Sequence, residues 1–199
     1  MLNVTQLRRE HEQIRRTLSL LRREAAALER GDDIDLELMC DVLSYITDYP
    51  DRYHHPVEDL ALLRLVQRRY VARPVADELD LEHRTVRHHG SQLRQLLEGA
   101  RADAIAPRAW IAIAAEQYAG TLDAHMRHEE YALFPLLEQH LRERDWEQIA
   151  KALAPAVDPL LAAGVDSPFQ RLRASIAERA QCGCDSSIFN ACDIEVETL

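Results

Sequence analysis

Glycine and proline are scarce in this sequence, six and eight residues out of 199, and aromatic residues make up only 6%. Those shortages argue against a fibrous or low-complexity chain and leave a helical globular one. Cysteine is sparse and badly placed for a disulfide framework: Cys40 stands alone, while Cys182, Cys184 and Cys192 crowd into the last 18 residues. No run of about 18 apolar residues occurs, and the opening stretch MLNVTQLRREHEQIRR has no apolar signal-peptide core. A soluble, cytoplasmic protein is expected. Positive charge is also short, with 24 Lys and Arg against 34 Asp and Glu. The formal charge of -10 speaks against nucleic acid or an anionic membrane as partner.

What is present is apolar residue at helical spacing. Hydrophobic residues form 47% of the chain and charged residues 29%, enough for one domain with a real core. The first stripe reads Leu7, His11, Ile14, Leu18, Leu21, Ala25, Leu28, in steps of four and three. Gly31 ends that helix, and Asp33 or Asp35 caps a second that passes Met39, Val42, Leu43 and Ile46 toward Val66, bent at Pro50 and Pro56. A third stripe reads Ala76, Leu79, His83, Val86, Gly90, Leu93, Leu97. A fourth follows Pro107 and reads Trp110, Ala114, Tyr118, Thr121, His125, Glu129, Ala132. Short connections predict an all-α, up-down-up-down four-helix bundle over residues 1–145. A helical extension over 146–180 follows, containing DWEQIAKALAPAVDPLLAAG and SPFQRLRASIAERA, and then a cysteine-containing tail over 181–199. The short C-terminal helices are expected to cross the bundle or to form a homodimer contact.

Three of the stripes carry histidine where an aliphatic residue belongs, and the sequence repeats itself around these positions. His54 aligns with His125 at an offset of 71, bringing Glu58 over Glu129; His11 aligns with His83 at an offset of 72. Two hairpins packed face to face therefore bring one histidine from each helix to one level of the core. Residues four apart share a helix face, so His54 with Glu58 and His125 with Glu129 point to the same place. Two uncompensated carboxylates there would cost several kcal/mol each, roughly, or be forced to protonate. A cation removes that cost. Four imidazoles and two carboxylates suit a pair of transition ions, with iron favoured by ligand type.

The segments REHEQI, YPDRYHHPVEDL, LEHRTV and HMRHEEYALFPLL resemble the hemerythrin-like cation-binding family with the His-His-Glu signature, over about residues 5–140. The resemblance implies a four-helix bundle around an oxo- or hydroxo-bridged nonheme di-iron centre. Carried over position by position, its ligands are His11, His54, Glu58, His83, His125 and Glu129. The oxygen-carrying hemerythrins place a further histidine on the third helix, where this chain has Arg87. They also use Asp, one residue farther from the fourth-helix histidine. The chain is more similar to the four-histidine, two-glutamate branch, which includes bacterial iron-centre repair proteins and the iron-sensing domain of a ubiquitin ligase. The cysteine-containing N-terminal segment of the repair proteins has no counterpart.

Other residues receive plainer readings. The repeat sets His55 over Met126 and His128 over Val57, which excludes both histidines from the ligand set. Asp59 and Glu130 pair with arginines or orient ligand histidines. His88 and His89 fall at the rim and His140 at the surface. Tyr118, like Tyr45, Tyr49 and Tyr53, is a core residue before it is a redox-active phenol, and the tail cysteines have no explanation. Ferritin-like bundles need Glu-x-x-His pairs, which the sequence lacks. The functional expectation is a di-iron protein that senses or reacts with O2, NO or peroxide in stress or iron homeostasis. Reversible O2 storage, iron-centre repair and a metal-free histidine-rich interaction module are the alternatives. Four histidines, two bridging carboxylates and one oxygen bridge leave an open position at each six-coordinate iron, an arrangement that favours reaction over storage.

Overall fold

The computed structural model describes residues 2–102 and 107–153, with Leu172, Ala174 and Ser175 beyond them. The tail with Cys182, Cys184 and Cys192, and most of the helix expected in SPFQRLRASIAERA, lie outside the described residues. Among those described, the regular structure is helical throughout.

The first helix, α1 (Val4–Arg30), opens at Asn3, whose side chain accepts the Gln6 amide, and closes at Gly31 with φ +80°. That left-handed geometry favours glycine, and the Gly31 amide returns to carbonyls of the last turn. Asp35 caps α2 (Leu36–Tyr49) by accepting the Leu38 amide. The chain then widens into a π-helical turn, Pro50–His54, before α3 (His55–Gln67). Pro50 and Pro56 each lack an amide donor, and the wide turn keeps the segment helical where a plain bend was expected. The second half repeats the plan with α4 (Arg73–Arg101) and α5 (Arg108–His128), a π-turn at Glu129–Leu133, and α6 (Phe134–His140).

Helix α1 packs on α2 and α5, and α4 packs on α2, α3 and α5, which closes the four-cornered bundle. A last described helix, α7 (Glu143–Ala152), runs across residue 145, where the extension was expected to begin, and packs on α3. Arg68 pairs with Asp145 at that junction, and Trp146 and Ile149 are buried.

One stripe is out of phase with the sequence reading. Trp110 is 61% exposed, and α5 buries Ile111, Ala115, Tyr118, Leu122 and His125 instead. The two phases share Tyr118 and His125, and the alanine-rich start of α5 offers little contrast between faces.

The core has two apolar clusters. The larger draws on Ile14 to Leu28, Leu38 to Tyr49, Val86 to Leu97 and Ile111 to Met126, together with Leu172. The smaller draws on Val4, Leu7, Val57 to Leu65, Leu79, Leu133 to Leu141, Trp146 and Ile149. Along each bundle helix the histidine expected as a ligand falls where one cluster gives way to the other. His11 lies between Leu7 and Ile14, His54 between Tyr49 and Val57, His83 between Leu79 and Val86, and His125 beside Met126 ahead of Leu133. A polar layer is thus clamped between two dry ones.

Two glycines report on packing. A Cβ at Gly90 would stand 2.9 Å from Thr47 Cγ2 and 3.2 Å from the Tyr118 ring, whereas one at Gly120 meets nothing within 4 Å. Gly120→Ala should therefore raise stability by roughly 0.5–1 kcal/mol through helix propensity. Gly90→Ala should lower it by about 1–3 kcal/mol through overpacking. Urea denaturation of the two variants checks this, and the same sign for both would contradict the packing described.

Candidate metal centre

All six expected ligands lie in the clamped layer. His11, His54, Glu58, His83, His125 and Glu129 are each 3% exposed or less. Glu58 lies 3.6 Å from His11 Nε2, 3.1 Å from His54 Nε2 and 3.9 Å from His83 Nε2. Glu129 lies 3.4 Å from His11 Nε2, 3.4 Å from His83 Nε2 and 3.3 Å from His125 Nε2. None of these approaches is aligned as a hydrogen bond. The four Nε2 atoms and all four carboxylate oxygens are buried with no hydrogen-bond partner among the described residues. Buried polar atoms are almost always paired, so eight that converge without partners fit a metal site.

The outward side of each ring is held by a second carboxylate. His11 Nδ1 donates to Glu130 at 2.9 Å, His54 Nδ1 to Glu10 at 2.7 Å and His125 Nδ1 to Glu82 at 3.0 Å. His83 Nδ1 lies 3.3 Å from Asp59. With the proton held on Nδ1, each Nε2 lone pair is left for a metal. Glu130 is itself gripped by both terminal nitrogens of Arg15, and Glu10 accepts from Gln6 and Tyr49. Of the two roles the sequence suggested, Asp59 holds a histidine, and Glu130 both holds a histidine and pairs with an arginine. Glu10 and Glu82 were missed, although their signal is simple: each directly precedes a stripe histidine, at the same offset of 72.

The same carboxylates favour protonation of the rings they face. Burial disfavours charge on His11, yet the facing Glu129, Glu130 and Glu58 overcome it and push its pKa up to about 11. Burial likewise opposes protonation of His54 and His83. Glu58 and Glu10 carry His54 to about 9, and Asp59 and Glu129 carry His83 to about 10. Burial would raise Glu129, but His11 and His83 hold it well below the usual carboxylate range.

The structure departs from the repeat at one residue. His55, excluded by its alignment with Met126, is 2% exposed, and its Nδ1 donates to Asp51 at 3.0 Å. Burial and the neighbouring His83 and His54 hold its pKa well below the imidazole range. Two groups of donors result, each with one atom per residue within 4.8 Å of all the others: His11, His54, Glu58 and Glu129; and His55, Glu58, His83 and His125. The overlooked signal was the His55–Glu58 spacing of three, which shares a helix face as well as four does.

The family model for the Hemerythrin HHE cation binding domain matches residues 2–137. The chain belongs to the hemerythrin HHE family. A second match, over residues 75–161, begins in the helix that opens the second hairpin, where the internal repeat also begins. A search of curated proteins finds no significant match. For this HHE domain, the family and the unpaired donors agree on a metal-binding site.

The remaining singled-out residues lie apart from the centre or beside it. Tyr118 is fully buried and donates its hydroxyl to the Ile46 carbonyl at 2.9 Å, a packing role. His128 Nδ1 meets Glu82 at 2.8 Å, so His128 joins the network without joining the donors. His89 pairs with Thr121 and Gln117, and His140 stacks on Tyr70.

Two predictions follow from this geometry. Raised histidine pKa values stabilise the metal-free fold fully below the unfolded value near 6.5, and that stabilisation is lost as pH rises through about 9 to 11. Metal-free protein should therefore melt lower at pH 10 than at pH 6.5, while added metal raises the melting temperature more at the higher pH, where protons compete less. Melting curves with and without chelator test this, and a pH-independent metal-free midpoint would contradict it. Separately, Glu10→Gln and Glu82→Gln should each weaken metal binding by roughly 10–100-fold with the helix content intact. Competition against a chromogenic chelator reads the change, and unaltered affinity would deny these carboxylates an orienting role.

Proposed function

We propose that the protein holds two iron ions in this layer and senses or reacts with a small ligand of the size of O2, NO or peroxide. The observation that carries the reading is the set of eight buried, unpaired donors. Their composition, imidazole nitrogens with two carboxylates that each face histidines of both hairpins, suits a dinuclear iron site better than a single hard or soft ion. One ion would take His11 and His54, the other His83 and His125, with Glu58 and Glu129 shared. Iron bound there supplies a redox-active Lewis acid.

Burial sets the ligand class. Every donor is nearly inaccessible, so a molecule larger than a few atoms cannot reach the layer without opening the bundle. An apolar crevice lies nearby, lined in part by Leu62, Leu79 and Leu133, one helical turn from Glu58, His83 and Glu129 respectively. Such a lining suits an uncharged diatomic molecule. Protons have a separate path: His125 is linked through Glu82 to His128, whose side chain is 33% exposed. Glu82 holds the proton of either ring and so connects the buried layer to solvent.

Peroxide- or NO-reactive behaviour in a cytoplasmic stress or iron response is part of this proposal. No described helix is long and apolar enough to cross a membrane, and the charge of -10 disfavours nucleic acid as partner. A homodimer through the C-terminal helices is part of this proposal, and most of those residues lie outside the described set.

Iron-loaded protein should contain two ions per chain. After anaerobic reduction, its absorption spectrum should change on mixing with O2, NO or hydrogen peroxide. Glu58→Ala or Glu129→Ala should lose most of the iron, and His128→Ala should keep it. Two stably bound irons that respond to none of the three ligands would refute the reactive reading. Equal iron loss in His128→Ala and Glu129→Ala would refute the ligand assignment.

A further inference from the structure

The two halves of the centre are not equivalent. The repeat relates His11 to His83, His54 to His125, Glu58 to Glu129, and also the outer carboxylates Glu10 to Glu82 and Asp59 to Glu130. Under the same offset of 71, the bonded pair Asp51 and His55 corresponds to Leu122 and Met126, both buried and apolar. One copy therefore buries an imidazole where the other buries a thioether. Burial of a polar ring is unfavourable unless its nitrogens find partners. Asp51 uses Nδ1 alone.

Position and orientation point to a use for the other nitrogen. His54 and His55 stand four and three residues before Glu58, so the two rings flank the shared carboxylate on one helix face. His54 lies with His11, their ring centroids 4.7 Å apart. His55 lies with the other pair, its ring stacked on His83 at 4.2 Å and edge-on to His125 at 5.7 Å. A donor atom of His55 is within 4.8 Å of donors on Glu58, His83 and His125. Its Nδ1–carboxylate bond repeats the arrangement at His11, His54 and His125. Arg87 lies 3.9 Å from Asp51 and keeps a positive charge beside the carboxylate that holds the ring.

We propose that His55 is a fifth imidazole ligand, which completes the ion held by His83 and His125 and leaves an open position only at the ion held by His11 and His54. This rests on the dinuclear reading above. It revises the ligand count that four histidines imply: three imidazole nitrogens and two shared carboxylates would leave the second ion at most one position for solvent. Small ligands then meet one ion, on the side where Met126 replaces imidazole.

The test uses the full chain, loaded with iron and oxidised, and titrated with azide while its charge-transfer absorption and iron content are followed. Wild type should bind one azide per two irons. His55→Ala should bind two. In Mössbauer spectra one iron doublet should shift and the other stay. His55→Gln, which keeps most of the side-chain volume, serves if the alanine variant does not fold, and it should likewise bind two. Met126→Ala, a control for a packing loss, should keep one. Two azides bound by wild type, or azide count and Mössbauer spectra unchanged in both His55 variants, would overturn the proposal and leave the dinuclear reading standing. Fewer than two irons in wild type would defeat the dinuclear reading and this proposal together.

Discussion

Glu58 and Glu129, 1% and 0% exposed, face each other across a layer with apolar side chains above and below. Each buried charge costs several kcal/mol unless it is compensated, and the net stability of a domain is only about 5–15 kcal/mol. Two such groups unanswered would consume much of it. Everything else in the layer serves to compensate them: the inward Nε2 atoms, the carboxylates behind each ring, and Arg15 behind Glu130. Protons can hold the layer together, as the raised His11, His54 and His83 values indicate. A proton on Nε2 nevertheless points at oxygens 3.1 Å or more away and poorly aligned. Metal ions held in the layer would use all eight of these atoms.

The fold places the layer by simple means. Each bundle helix carries one histidine at the boundary between two apolar clusters, so packing of the clusters fixes the height of these four rings. Both π-turns, Pro50–His54 and Glu129–Leu133, adjoin the ligand pairs. They fall on opposite sides of those pairs, ending at His54 in one hairpin and starting at Glu129 in the other. The hairpins are therefore similar in sequence but differ in local winding, and His55 lies in the first turn after the earlier one.

Much of this was legible in the sequence because ligand positions follow helical spacing and the two hairpins repeat. His11 and His83 stood out as polar interruptions of apolar stripes, and the offset tied His54 to His125. The same regularity is silent on the burial of His55 beside Glu58, His83 and His125: an alignment can carry over only what both copies share, and this ring has no counterpart. Glu10 and Glu82 were hidden for another reason. An acid beside a stripe residue is usually solvated, and only the packing of α1 on α2 and of α4 on α5 turns these two toward His54 and His125. The phase of α5 was misread at Trp110 because bulk suggested burial where the residue faces out.

The central claim is that Glu58 and Glu129 are shared between two ions. Mössbauer spectroscopy of oxidised protein loaded with iron-57, recorded at low temperature in an applied magnetic field, addresses it most directly. Two ferric ions bridged in one site couple antiferromagnetically, so the account predicts two irons per chain and a diamagnetic ground state with no magnetic hyperfine splitting beyond that of the field. A paramagnetic, magnetically split spectrum from isolated ferric ions, or a single iron per chain, would contradict it.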